Sequence, residues 1–359
     1  MATAASSTAS LAMAPAYEMS MHCSTVSVQP KEVTYQITAT TNIPSYKRNR
    51  YNFSRSHSEI ERLASAFQVV FPEVIVPAPA PRSLDGSFMA ETVNRFLDRV
   101  SRHPLLRTAE CLQMFIESQF EYVPTQTSTL KKGSSSTFRF GKPITSTTRD
   151  DPFFEFARSE TAGVELHITN MLKANGDKIV KFEREQAKAS GEVGQRLVGL
   201  VGESGDPLGS VLRRMAKCFQ VSEDATYAAN TFNDAITHGI RSTDSAQSTL
   251  QNRINALNLY TESCKSTSKK VQALEKLKAG SSIRQDKVDA ALEELNEAKK
   301  VEASHRELLK RLTDSIRGEY ELYDRQFQSD MEIYLKVYAE RQLDFARQMK
   351  KAFDISLPS

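Results

Sequence analysis

The chain has 359 residues, enough for two or three ordinary domains, with 40% hydrophobic and 25% charged residues and no tryptophan. Its net charge of +3 hides a gradient: residues 1–150 carry 16 Lys and Arg against 12 Asp and Glu, and the remainder carries 31 against 32. A nucleic-acid binder of this size shows a stronger basic excess, and no apolar run of about 18 residues is present to cross a bilayer.

From Met1 through Gln29 the chain is rich in Ala, Ser, Thr and Met and has no Lys or Arg. It has neither the basic start of a secretory signal nor the arginines of a transit peptide, so residues 1–29 are expected to be a disordered tail. Tyr35, Ile37 and Ala39 alternate with polar residues and predict a half-buried strand; Tyr51 and Phe53 predict another. Ile60, Leu63, Ala64 and Phe67 recur at helical spacing. Pro72, Pro77, Pro79 and Pro81 then predict an extended, polyproline-like loop. Two more helical stretches follow, Phe88 to Val100 and Cys111 to Ile116. Residues 30–124 therefore read as a small α+β domain.

Residues 125–150 are Ser/Thr-rich, hold five basic residues and one acidic one, and read as a linker. Asp151-Pro152 is a helix start, Asp capping and Pro in the first turn. Beyond it the period is helical throughout, and helices are expected over about 153–201, 207–278 and 283–355. The third would span about 100 Å. Its apolar residues follow an eleven-residue repeat, as in Tyr323, Tyr334 and Phe345 or Phe327 and Tyr338, which specifies a nearly straight bundle. Such a stripe is either ordinary packing within one bundle or an intermolecular seam. Its length and aromatic content favour a seam over Tyr323, Phe327, Tyr334, Tyr338 and Phe345.

The turn between the second and third long helices is basic. Lys265, Lys269, Lys270, Lys276, Lys278, Arg284 and Lys287 face only Glu275 and Asp286. Such a tip can meet anionic headgroups, each close cation contributing about 1 kcal/mol. No catalytic constellation accompanies it. The six histidines are scattered and no His-Glu-x-x-His pair occurs. Gly141-Lys142 is followed by Pro143, where a phosphate loop needs Ser or Thr, and no Gly-x-Ser-x-Gly elbow exists. The four cysteines form no C-x-x-C pair and read as free thiols. No enzyme activity, catalytic residue, metal or cofactor is expected.

Tyr35-Gln36-Ile37, Thr41-Asn42-Ile43-Pro44, Arg55 to Ile60, the loop Val76 to Arg82 and Arg102-His103-Pro104-Leu105 resemble a PX domain in order and spacing. The three long helices with a basic second turn resemble a BAR domain. Together they resemble a PX-BAR sorting nexin over about 30–355. The closing segment Glu117 to Pro124 is most similar to a sorting nexin subunit of fungal retromer. The resemblance implies an α+β PX domain (30–124) with a small antiparallel sheet plus helices, then an all-α, dimeric BAR domain (151–357).

The same resemblance implies a phosphatidylinositol 3-phosphate pocket, and here that pocket is degenerate. The family's phosphate-holding Arg and inositol-stacking Tyr are replaced by Ser56 and His57, and a second Arg by Met89. Arg55, His57 and Arg82 remain as a weak lipid-binding set, since bidentate Arg contacts supply most of such a site's strength. The function implied is a non-catalytic coat subunit, cytoplasmic and peripheral on endosome membrane. It would pair with a second PX-BAR sorting nexin, work with retromer cargo-recognition subunits and an anionic or phosphoinositide membrane, and bind no nucleic acid. The alternatives are a self-dimerising PX-BAR protein in autophagy or endocytosis, and a cytosolic helical tether without a membrane role.

Overall fold

The computed structural model describes residues 17–29, 32–83, 85–124, 150–201, 207–220, 225–279 and 285–356. The expected linker over 125–149, the first 16 residues of the expected tail and Arg284 lie outside the described residues.

Three strands, β1 (Met19–Val28), β2 (Val33–Thr41) and β3 (Arg50–Ser56), form an antiparallel meander in chain order. Tyr35 pairs with Arg55 and Ile37 with Phe53. β1 overturns the expectation of a disordered tail up to residue 29. Met19, Met21 and Cys23 alternate inward against Ala39 and Ile37, so the segment buries apolar surface despite its polar composition. Helix α1 (His57–Val70) follows β3 without a loop, because Ser56 and Glu59 form a reciprocal capping box. Helix α2 (Gly86–Arg102) is capped by Asp85, and α3 (Glu110–Glu117) closes the domain after a single 3-10 turn. Tyr35, Ile37, Phe67, Phe96, Leu97 and Phe115 fill the core between sheet and helices.

The helical region starts where the sequence predicts. Asp151 accepts from Phe153 N, with Pro152 in the first turn of α4 (Pro152–His167). A π-helical segment, Ile168–Lys173, joins α4 to α5 (Ala174–Gly199). The second expected helix is divided into α6 (Pro207–Gln220) and α7 (Ala225–Ala279). The third is one helix, α8 (Gln285–Ser356), 72 residues long. Asp150, buried, pins the start of α4: Arg158 donates to Oδ2 at 2.6 Å and Arg253 to Oδ1 at 2.7 Å. Burial pushes this carboxyl upward, yet the two guanidiniums hold it below the usual carboxylate range. No helix among the described residues is long and apolar enough to cross a membrane.

Candidate functional site

The proline loop is the first feature that sequence periodicity does not resolve. Prolines fix an extended backbone and remove N–H donors, so the loop cannot pair as a strand and its carbonyls need outside partners. Helix α7 supplies them. Asn252 donates to Pro72 O at 3.1 Å, Thr249 to Val74 O at 3.1 Å and Ser245 to Val76 O at 2.6 Å. His238 Nε2 lies 3.2 Å from Ala78 O and Arg241 Nη1 3.2 Å from Ala80 O. Every second carbonyl of an extended chain thus meets a polar side chain three, four or seven positions from the last, all along one face of α7. Ile75, between two of these carbonyls, buries its side chain among Phe154, Leu250, Leu312 and Ile316 of the helical region.

Two charge clusters continue this contact. Asp330 of α8 receives Arg95 and Arg99 from α2. Asp85, the α2 cap, binds Arg341 of α8 and accepts from Thr231 of α7 at 3.0 Å. Burial raises the Asp85 carboxyl, but hydrogen bonds from Arg341 and Ser87 dominate together and lower it to about 2. The amino-terminal domain is therefore bound to the helices along its loop and its second helix.

The degenerate lipid set does not converge. Arg55 is turned inside: Nε and Nη2 donate to Phe115 O at 3.0 and 2.7 Å, and Nη2 also to Ser118 O at 2.6 Å. It braces α3 and is closed to a headgroup, a correction to its place in the set. Its neighbour Ser56 is occupied as a helix cap, and Met89 is fully buried in the core. His57 is buried too, with Nδ1 2.9 Å from the Tyr35 hydroxyl and Nε2 3.4 Å from Glu61, so it also leaves the set. Glu61 in turn accepts from Arg241 at 3.0 Å. Arg82 is exposed, on the rim of a cavity of about 480 Å³ shared with Asp177, Lys181, Arg184, Glu185 and Asp234. Three carboxyl groups balance the three cations there, so the cavity does not concentrate a phosphate.

The basic tip stands in solvent. Lys265, Lys269, Lys276, Lys278 and Lys287 are exposed, while Lys270, half-buried, pairs with Glu294.

The aromatic stripe of α8 behaves differently from expectation. Tyr334 is 3% exposed within a single chain, packed on Phe88 and Ala235 and bonded through its hydroxyl to His238 Nδ1 at 3.1 Å. The expected intermolecular role of Tyr334 is corrected accordingly: α2 and α7 of the same chain cover it. Tyr323 stacks beside Phe327 at 5.7 Å, Tyr338 lies 4.7 Å from Phe232, and Phe345 is half-buried. Apolar side chains are left in solvent on α8 at Leu322, Leu335 and Leu343, and in greater number along the first long helix. Phe156, Leu166, Met171 and Phe182 of α4–α5 are exposed, Phe182 at 66%. Met171, Phe182 and Val193 are spaced by eleven, the same repeat as in α8, and that spacing was the available signal for this face.

Comparison with known proteins agrees with this architecture. The Vps5 C terminal like family matches residues 127–355, and the PX domain matches residues 43–119. Sorting nexin 1 of Arabidopsis thaliana is 22% identical, over 91% of this chain and 87% of its own length. Vacuolar protein sorting-associated protein 17 of Schizosaccharomyces pombe is 21% identical over 89% of this chain, and the match spans 60% of that longer relative. The cryo-EM structure of the SNX-BAR Mvp1 tetramer shares the fold, with a TM-score of 0.53 at 13% identity over 95% of this chain and 100% of its own. The matched family covers well over half of the sequence. The chain belongs to the Vps5 C terminal like family, and with a PX domain joined to BAR-type helices it is a PX-BAR sorting nexin, a non-catalytic scaffold.

Proposed function

We propose that this sorting nexin pairs with a second PX-BAR sorting nexin and coats endosomal tubules in retromer-type endosome-to-Golgi retrograde sorting. In this reading it is cytoplasmic and peripheral on the endosome membrane, next to the retromer cargo-recognition subunits. The observation that carries the reading is the exposed face of α4–α5, with Phe156, Leu166, Met171 and Phe182 in solvent on one long helix. So long an apolar face on a charge-rich bundle calls for a second subunit. The internal use of Arg55 and His57 favours a partner that brings a competent lipid pocket. The similarity to vacuolar protein sorting-associated protein 17 and sorting nexin 1 supports the sorting role. Affinity purification of the tagged full chain, with co-purifying proteins identified and the complex sized by light scattering, tests it. The expected result is a one-to-one complex with another PX-BAR protein. Recovery of a homodimer alone would replace this reading with that of a self-dimerising sorting nexin.

A further inference from the structure

The bundle end opposite the α7–α8 turn carries a second concentration of positive charge. α5, α6 and the last turns of α8 converge there. A Cβ on Gly194 of α5 would lie 3.1 Å from Ala216 O of α6, and Cys218 Sγ of α6 donates to Ala352 O of α8 at 3.1 Å. Helix α6 holds Arg213, Arg214 and Lys217 and no acidic residue. Arg213, Lys217, Lys350 and Lys351 are exposed, and none of the four makes an ion pair among the described residues, although one exposed carboxylate, Asp354, follows Lys350 by a turn of α8. Apolar side chains are exposed at the same end. Leu200 is 72% exposed, and Leu208 and Phe353 are exposed as well.

Clustered cations repel one another unless a polyanion neutralises them, and exposed leucines gain by leaving water. An anionic lipid surface satisfies both demands at once. Lys and Arg sit among its phosphates while leucine and phenylalanine enter the headgroup boundary, the division of labour seen in interfacial helices. A protein partner would need carboxylates set between apolar pockets in matching order.

We infer that this end is a second membrane-contact site for anionic lipid headgroups, formed by Arg213, Lys217, Lys350 and Lys351 together with the exposed Leu200 and Leu208 of the same end. The inference rests on the membrane-coat reading above. α8 places the two basic ends about 100 Å apart.

The chain contains no tryptophan, so Leu200→Trp in the full-length protein reports on this end alone. Emission is recorded with vesicles of phosphatidylcholine and with vesicles containing phosphatidylserine, and co-sedimentation is run in parallel. The expected result is a blue shift, quenched by brominated lipid, on phosphatidylserine vesicles only. Changing Arg213, Lys217, Lys350 and Lys351 to Gln should weaken sedimentation about fivefold per cation and abolish the shift. Sedimentation with emission unchanged would overturn this site while leaving the coat reading intact. Failure to sediment at all would overturn the coat reading and this site with it. Emission already blue-shifted without vesicles, and more so at higher protein concentration, would assign the end to a second subunit and overturn the inference.

Discussion

Arg99 lays both Nη atoms across the carboxylate of Asp330, at 2.8 Å to Oδ2 and 2.7 Å to Oδ1, and so joins the PX domain to α8. Arg95 adds a contact at 3.2 Å while its guanidinium lies over the Tyr334 ring at 5.1 Å. The bidentate geometry fixes direction as well as distance, which is what a domain joint requires. All three charged side chains are largely screened from water.

Asp330→Ala leaves Arg99 without its counter-ion beside Arg95, which keeps only Glu91. Breaking a buried pair from one side costs about 3 kcal/mol. Chemical denaturation of the full chain should show that loss, and Asp330→Ala combined with Arg99→Ala should lose less than the sum of the two single changes. Strict additivity of the two would show that the joint does not depend on this pair.

The track on α7 makes a different demand. Ser245→Ala with Thr249→Ala removes the donors to Val76 O and Val74 O, each about 1 kcal/mol net. The helix itself tolerates alanine at both sites. Limited proteolysis between Pro72 and Ala80 should therefore accelerate about thirtyfold while helix content holds. An unchanged cleavage rate would mean that these two hydrogen bonds do not hold the loop.

Much of this was legible in the sequence because the signals are local. Tyr35, Ile37 and Ala39 announce a strand by alternation, and all three are fully buried. Asp151-Pro152 announces a helix start, and the eleven-residue repeat announces α8. The joint was not legible for a physical reason. Ser245, Thr249 and Asn252 are ordinary solvated positions in α7's own period; only the loop lying across them gives them a role. Tyr334 carries the same lesson, since periodicity places it on a stripe without saying which element covers it. β1 was missed because Met19, Met21 and Cys23 alternate within a stretch of Ala, Ser and Thr whose composition suggests disorder.

His238 gives the joint a pH signature. It is wholly buried between Ala78 O and the Tyr334 hydroxyl, with Asp330, Arg99 and Arg95 as its nearest charges. Burial lowers it to about 4, against about 6.5 when exposed. Between those values the unfolded chain binds more protons, so this group's contribution is present above pH 6.5 and is lost as pH falls toward 4, by about 1.4 kcal/mol per unit. Asp234, pushed up to about 6 by burial, acts in the opposite sense over much of that window and blunts the whole-protein profile. Comparison with His238→Gln isolates the histidine. The variant should be less stable than the parent at pH 7, and the gap should narrow steadily toward pH 4. A gap independent of pH would rule out the neutral buried imidazole.

The internal use of Arg55 and His57 predicts weak lipid binding by the PX domain. Titration calorimetry of the full chain with soluble short-chain phosphatidylinositol 3-phosphate should show no micromolar binding at physiological salt. Arg82→Gln should change the result little, since the carboxyl groups of Asp177, Glu185 and Asp234 line the same cavity. Micromolar binding abolished by Arg82→Gln would restore a working pocket to this domain.

Phe182 and Tyr334 separate two uses of an aromatic side chain on a long helix. Tyr334 fills space between α2, α7 and α8, so Tyr334→Ala should leave a cavity, strand His238 Nδ1 without its hydroxyl donor and cost about 3–5 kcal/mol. That loss should be visible by denaturation at any protein concentration, because it is internal to one chain. Phe182 touches solvent, and a surface substitution there should change the stability of the single chain by no more than about 0.5 kcal/mol. In a dimer built on the α4–α5 face, Phe182→Glu places an unpaired carboxylate in an apolar seam, at a cost of several kcal/mol. Light scattering of the purified protein with its partner should then find Phe182→Glu monomeric at micromolar concentration and as stable to denaturant as the unpaired parent chain. Should Phe182→Glu still dimerise while Tyr334→Ala does not, the seam lies on α8 after all, and the PX contact with Tyr334 must open when the subunits join.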